Sequence, residues 1–157
     1  MERPTAEGPE GPLPMATCTY EELAHTAEIG LRVRSDTPEG LFACAARGMF
    51  ALLSVEVDRS TPPIRRDVHL TSMDLESLLV DWLSELLYLH ETTGAVFQEC
   101  VVTHWQPDAP DGPTLGATVQ GYPPVTAPRL QIKAVTYHDL LVAADEDGWV
   151  AQVYFDI

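Results

Sequence analysis

The chain is short of cations. It has a single lysine in 157 residues, and nine basic residues face twenty-four acidic ones, a net charge of −15. Neutralising a phosphate backbone takes lysine and arginine, so naked RNA or DNA is not the expected ligand. Such a field attracts cations and basic proteins instead, although the same acids also serve simply to keep a small protein dispersed. Cysteine is scarce as well: Cys18, Cys44 and Cys100 are odd in number and widely spaced, with no C-x-x-C pair. The expectation is a reducing, cytoplasmic setting with inert, packed thiols. No apolar run approaches the ~20 residues that span a bilayer, and no basic segment followed by an apolar one opens the chain, so neither membrane nor export is expected. There is no G-x-x-x-x-G-K-[ST] loop, no G-x-G-x-x-G after a strand, no G-x-S-x-G and no H-E-x-x-H. These absences weaken an enzyme reading without closing it, because catalytic groups converge from distant segments.

What is present describes one globular domain. Hydrophobic residues make up 45% of the chain, enough for a sizeable core. Residues 1–18, rich in proline, glycine and glutamate, read as a disordered tail, and residues 19–157 as the domain. Glu28–Arg34 alternates apolar with small or charged residues, a half-buried strand. Thr37-Pro38-Glu39 is a helix start, and Leu41, Phe42, Ala45, Met49, Leu52 and Leu53 follow on one face. Asp67–Leu70 reads as a short strand. Asp74 opens a second helix with Glu76 in its first turn, Leu75 to Leu87 supplies a wide apolar stripe, and Thr92-Thr93-Gly94 closes it. That stripe reads as core, not as a cofactor box. Strands are predicted at Ala95–Trp105, Leu115–Gln120, Leu130–His138, Leu140–Ala144 and Trp149–Asp156, with Asp145–Gly148 as a hairpin turn. The fold class is α+β: two helices packed on a largely antiparallel sheet of six or seven strands.

Four segments carry polar residues that structure alone does not require: His25 to Glu28, Asp74 with Glu76, Lys133 to His138, and Asp156-Ile157. Should the first and last strands pair, Glu28, Asp156 and the Ile157 carboxylate would form a hard oxygen site suited to Ca2+, Mg2+ or Mn2+ more than to Zn2+. The plain alternative is a surface acid and a frayed end. His25 and His138 are candidate ligands or bases, or hydrogen-bonded structural histidines. Along Gln131–His138 a strand would put Lys133 and Tyr137 on one face and Thr136 and His138 on the other. Lys133, if buried, must be ion-paired, with Glu28, Asp74 or Asp156 as its partner; otherwise it is a solvated lysine.

Taken together these segments resemble the archease family. His25-Thr26-Ala27-Glu28-Ile29-Gly30 is similar to its H-T-A-D-[IV]-G motif, and Asp74 to Leu83 to its D-x-E-x-L-L-x-x-[WF]-L helix. Lys133-Ala134-Val135-Thr136-Tyr137-His138 is similar to its K-A-x-T-Y-H strand, and the final Asp156-Ile157 to its closing D-I. The resemblance spans about residues 20–157, with the four motifs in order. It implies an accessory protein of an RtcB-type RNA ligase in tRNA splicing and RNA repair, one that promotes GTP-dependent guanylylation and multiple turnover and has no catalysis of its own. It implies a divalent cation held by Glu28 and Asp156, joined by Ile157, with His25, Asp74, Glu76, Lys133, Thr136 and His138 supporting the site or engaging the ligase. The sequence departs from the pattern at Glu28, where the family has aspartate; the added methylene moves the carboxylate by about a bond length. Two other classes compete: a stand-alone metal-dependent hydrolase using Glu28, Asp156 and a histidine, and a generic acidic chaperone or binding module.

Overall fold

The computed structural model describes residues 18–25 and 27–157, and for Ala24 and His25 the backbone only. Residues 1–17, on which the expected tail falls, lie outside the described residues.

The elements follow the chain as β1 (Cys18–His25), β2 (Glu28–Ser35), α1 (Pro38–Ala51), β3 (Ile64–Thr71), α2 (Leu75–Thr93), β4 (Val96–Gln106), β5 (Thr114–Tyr122), β6 (Ala134–Val135), β7 (Leu141–Asp145) and β8 (Gly148–Asp156). Both helices begin where their caps dictate. Thr37 is extended, its hydroxyl accepts from Gly40 N at 3.0 Å, and Pro38 follows. Asp74 caps α2 by accepting from Ser77 N at 2.7 Å. The end of α2 is equally local: Gly94 sits at φ +79 and its N–H donates to His90 O at 2.8 Å, a left-handed stop for which glycine carries no Cβ penalty.

All strand pairs are antiparallel, and they form two sheets. One runs β1-β2-β8-β6, with β7 also pairing β8; the other runs β3-β5-β4. The α+β class holds, with eight strands among the described residues in place of six or seven, divided between two sheets. Alternation tells which face a strand buries and says nothing of which strand it joins, so the division was not visible in the pattern. The helices bind the sheets into one core. Helix α1 packs on β1, β2 and β8 of the first sheet and on β4 of the second; α2 packs on β6 and β7 and on β3 and β4. Leu31, Val33, Ala151, Val153 and Phe155 face this core from the first sheet, and Phe42, Phe50, Trp82 and Phe97 fill its centre. The Trp82 indole N–H donates to Phe42 O at 2.8 Å, which satisfies the one polar atom that the ring brings inside.

Three expectations are corrected. The strand over Leu130–His138 shrinks to Ala134–Val135: the Thr136 hydroxyl donates to Tyr154 O (3.0 Å) and accepts from His138 N (3.3 Å), so a side chain takes over from the ladder. Cys18, assigned to the tail, begins β1. And the thiols are not all free: Cys18 and Cys44 form a disulfide that ties the start of β1 to the middle of α1, leaving Cys100 as the free cysteine. Spacing could not reveal this, because the bridge depends on β1 lying across α1. Among the described residues, no helix is long and apolar enough to cross a membrane.

Candidate functional site

The site is built by strand register. His25 pairs with Glu28 across the β1–β2 hairpin, Glu28 pairs with Asp156 of β8, and Asp156 pairs with Ala134 of β6. Four strands thus stand abreast at one end of the first sheet. Directly opposed residues in an antiparallel pair share a face, with Cβ atoms about 4.5–5.5 Å apart, so the carboxylates of Glu28 and Asp156 leave the sheet side by side. The face is the one away from the helices, because their neighbours Ile29 and Phe155 point into the core. Asp156 is exposed and Glu28 half-buried. The turn presenting Glu28 is strained: Ala27 has φ +62, a region that costs a residue with a Cβ roughly 1–2 kcal/mol.

Behind the acids lies a supporting layer that motif reading missed. Tyr154, two residues before Asp156, lies on the same face, and its ring covers Gly30. A Cβ at Gly30 would come within 2.7 Å of that ring, so only glycine lets it lie flat. The His138 ring meets Tyr154 edge-on at 5.5 Å, and His138 Nε2 lies 3.3 Å from Asp139 Oδ2. Further along the face, Arg32 donates to Gln152 Oε1 (2.7 Å) and to Glu21 Oε1 (3.3 Å), and Gln152 donates to Asp139 O (3.1 Å). Counting by twos back from Asp156 would have found Tyr154 and Gln152.

The other expected residues divide. Thr136 and His138 arrive with β6, as above. Lys133 adjoins the site through its backbone, donating its N–H to Asp156 O at 2.8 Å. Its side chain is exposed and makes no ion pair among the described residues, so of the two alternatives the solvated lysine holds and the buried, paired one does not. With β6 only two residues long, nothing covers it. Asp74 is committed to its own helix through Ser77, and Glu76 lies half-buried in that helix's first turn. His25 stands in register beside Glu28, and its side chain lies outside the described residues.

The described residues contain no group of three or more His, Cys, Asp or Glu that could hold a metal. They offer two adjacent carboxylates, an all-oxygen pair whose chemistry suits a hard cation and suits zinc poorly.

An α+β domain that carries a pair of acids on the open face of a sheet is a class with relatives. A family model described as the archease protein family matches residues 20–157. Protein archease of Methanosarcina barkeri is 41% identical over 140 residues, covering 88% of this chain and 95% of that one, and protein archease of Pyrococcus furiosus is 37% identical over 142 residues, covering 88% and 98%. The solution structure of Methanobacterium thermoautotrophicum protein 1598 aligns with TM-score 0.65 at 32% identity, covering 88% of this chain and 98% of that one. A crystal structure from Thermotoga maritima, described as an archease and possible chaperone, aligns at 0.60 over 87% of this chain and 96% of that one; at 19% identity it speaks to the fold alone. This chain belongs to the archease family.

Proposed function

We propose that this protein is a non-catalytic accessory factor of an RtcB-type RNA ligase. It promotes the ligase's GTP-dependent guanylylation and repeated turnover in tRNA splicing and RNA repair. The observation carrying this reading is the pairing of Glu28 with Asp156 on the outward face, the two acids standing at the positions of the family's motifs. Glu28, Asp156 and the Ile157 carboxylate would hold a Ca2+, Mg2+ or Mn2+ ion, which would supply positive charge on an otherwise acidic face. Tyr154 and Gly30 keep the floor beneath the acids flat, and Thr136 fixes the chain that leads to His138. Lys133, exposed beside Asp156, is free to meet a partner, and Glu76 would engage it from the first turn of α2. A net charge of −15 speeds approach to a basic, RNA-binding ligase, an advantage that fades with salt. The same charge disfavours direct contact with RNA.

The test is a guanylylation assay of the cognate ligase with and without this protein. Substoichiometric amounts accelerate it, and the protein alone shows no nuclease, ligase or nucleotide hydrolase activity. Asp156→Ala abolishes the stimulation and leaves the fold intact, since Asp156 is solvent-exposed at the end of β8. An unchanged guanylylation rate across a range of Mn2+ and GTP, or full stimulation by Asp156→Ala, defeats the proposal.

A further inference from the structure

The second sheet has an outer face of its own, and none of its three strands carries one of the family's motifs. Its middle strand, β5, carries Gly116. Register places His69 of β3 on one side of Gly116 and His104 of β4 on the other. The second placement depends on an irregularity. Val102 pairs with Ala117 and His104 with Gly116, so Thr103 is an extra residue in β4. With regular pairing Thr103 would oppose Gly116 and His104 would turn toward the core; the bulge re-aims the histidine outward. Two flanking strands lie about 9.6 Å apart across a middle one, and a side chain at position 116 would hold the rings apart. A Cβ there would meet His104 Cβ at 3.0 Å. With glycine the rings lean together over the gap, 6.0 Å between centroids and 28° between planes. Both residues are exposed, and no ring nitrogen of either has a hydrogen-bond partner among the described residues.

We propose that His69 and His104, brought together over Gly116 by the β4 bulge, form a two-histidine site for a borderline transition-metal dication such as Cu2+ or Zn2+. Imidazole nitrogens suit these metals and not the hard cations expected at Glu28 and Asp156. With metal–nitrogen distances of about 2.1 Å, two imidazoles on one tetrahedral ion have centroids about 5.3 Å apart. The centroids need to close by less than an ångström, and the nearly parallel rings must also turn so that one nitrogen of each points at the same ion; χ2 rotation of exposed histidines is soft. Asp67, two residues before His69 on the same face, accepts from the Thr118 hydroxyl at 2.8 Å. Two protein ligands therefore leave the remaining positions to water or to a donor from another molecule.

The test uses Cu2+ alone, whose paramagnetism erases nearby proton signals. Histidine ring resonances of the full chain are followed as Cu2+ is added. Those of His69 and His104 should broaden together at the lowest additions. In His69→Asn the His104 signal, and in His104→Asn the His69 signal, should need at least tenfold more Cu2+, because each then binds alone. Both positions are exposed, so the variants keep their fold, and circular dichroism checks this. Independent broadening with unchanged Cu2+ requirement in the single variants overturns the proposal. So does a first equivalent that broadens His138 instead, since the metal would then prefer the other sheet.

Discussion

Breaking the Cys18–Cys44 bridge should lower stability by a calculable amount. The two residues are 26 apart in sequence with Cα atoms 5.8 Å apart. Cys44 is fully buried and keeps its packing when reduced, so the loss falls on the unfolded chain, which regains the freedom that the cross-link removes. For a loop of this length the chain-entropy relation gives about 12 cal/mol/K, or about 3.5 kcal/mol at 25 °C. For a domain of this size that lowers the melting temperature by on the order of 10 °C. The assay is thermal unfolding of the oxidised protein, with and without reductant, beside Cys18→Ala. Reductant should shift the first sample and leave the variant unmoved. Thiol counting supplies the control. Burial pushes the Cys100 thiol up to about 11, so it reacts slowly in the native state. In denaturant without reductant only Cys100 should titrate, and with reductant all three. Three thiols without reductant, or melting indifferent to reductant, would refute the bridge and restore the sequence expectation of three free cysteines.

Two further outcomes are expected. The Glu99 carboxyl is held below its ordinary 4.5 by hydrogen bonding from Arg59, opposed by partial burial and aided by Gln120. The folded state therefore binds its proton later than the unfolded one, so the contribution is complete above about 4.5 and is lost as pH falls through the lower, folded value. NMR titration should show the depressed midpoint, and Arg59→Ala should move it upward; an unmoved midpoint contradicts the assignment. Gly30→Ala should cost about 1–3 kcal/mol, because its Cβ would drive into the Tyr154 ring at 2.7 Å. The resonances of Tyr154 and His138 should shift with it in two-dimensional spectra, and a neutral substitution with unchanged spectra would mean the ring is not packed there.

What could be read from the chain was whatever is local. Thr37-Pro38, Asp74 and Gly94 announce helix ends because each cap satisfies its own helix, and the apolar stripes announce the faces that are buried. The carboxylates of the site were legible through their motif positions, and their meeting depended on a β2–β8 pairing that the motifs only implied. The rest depended on partners distant in sequence. The split into two sheets, the Cys18–Cys44 bridge and the exposure of Lys133 each follow from which strand lies beside which. Tyr154 escaped notice for a different reason: a tyrosine in a final strand looks like core until the register puts it over Gly30. The His69–Gly116–His104 arrangement needs both the register and a bulge, and neither leaves a mark in composition.

Strand β8 lies in the interior of the first sheet, between β2 and the pair β6 and β7. Its contacts with β2 join residues such as Arg32 and Gln152, 120 positions apart. Loop closure over such a distance is slow and comes late in folding. Until β8 docks, β2 presents Glu28 at an open edge and Asp156 has no neighbour, so the acidic pair does not exist in a half-folded chain. Under the proposed function, recognition of the pair would require β8 to have docked on β2. An incompletely folded chain has the same residues and cannot show them together.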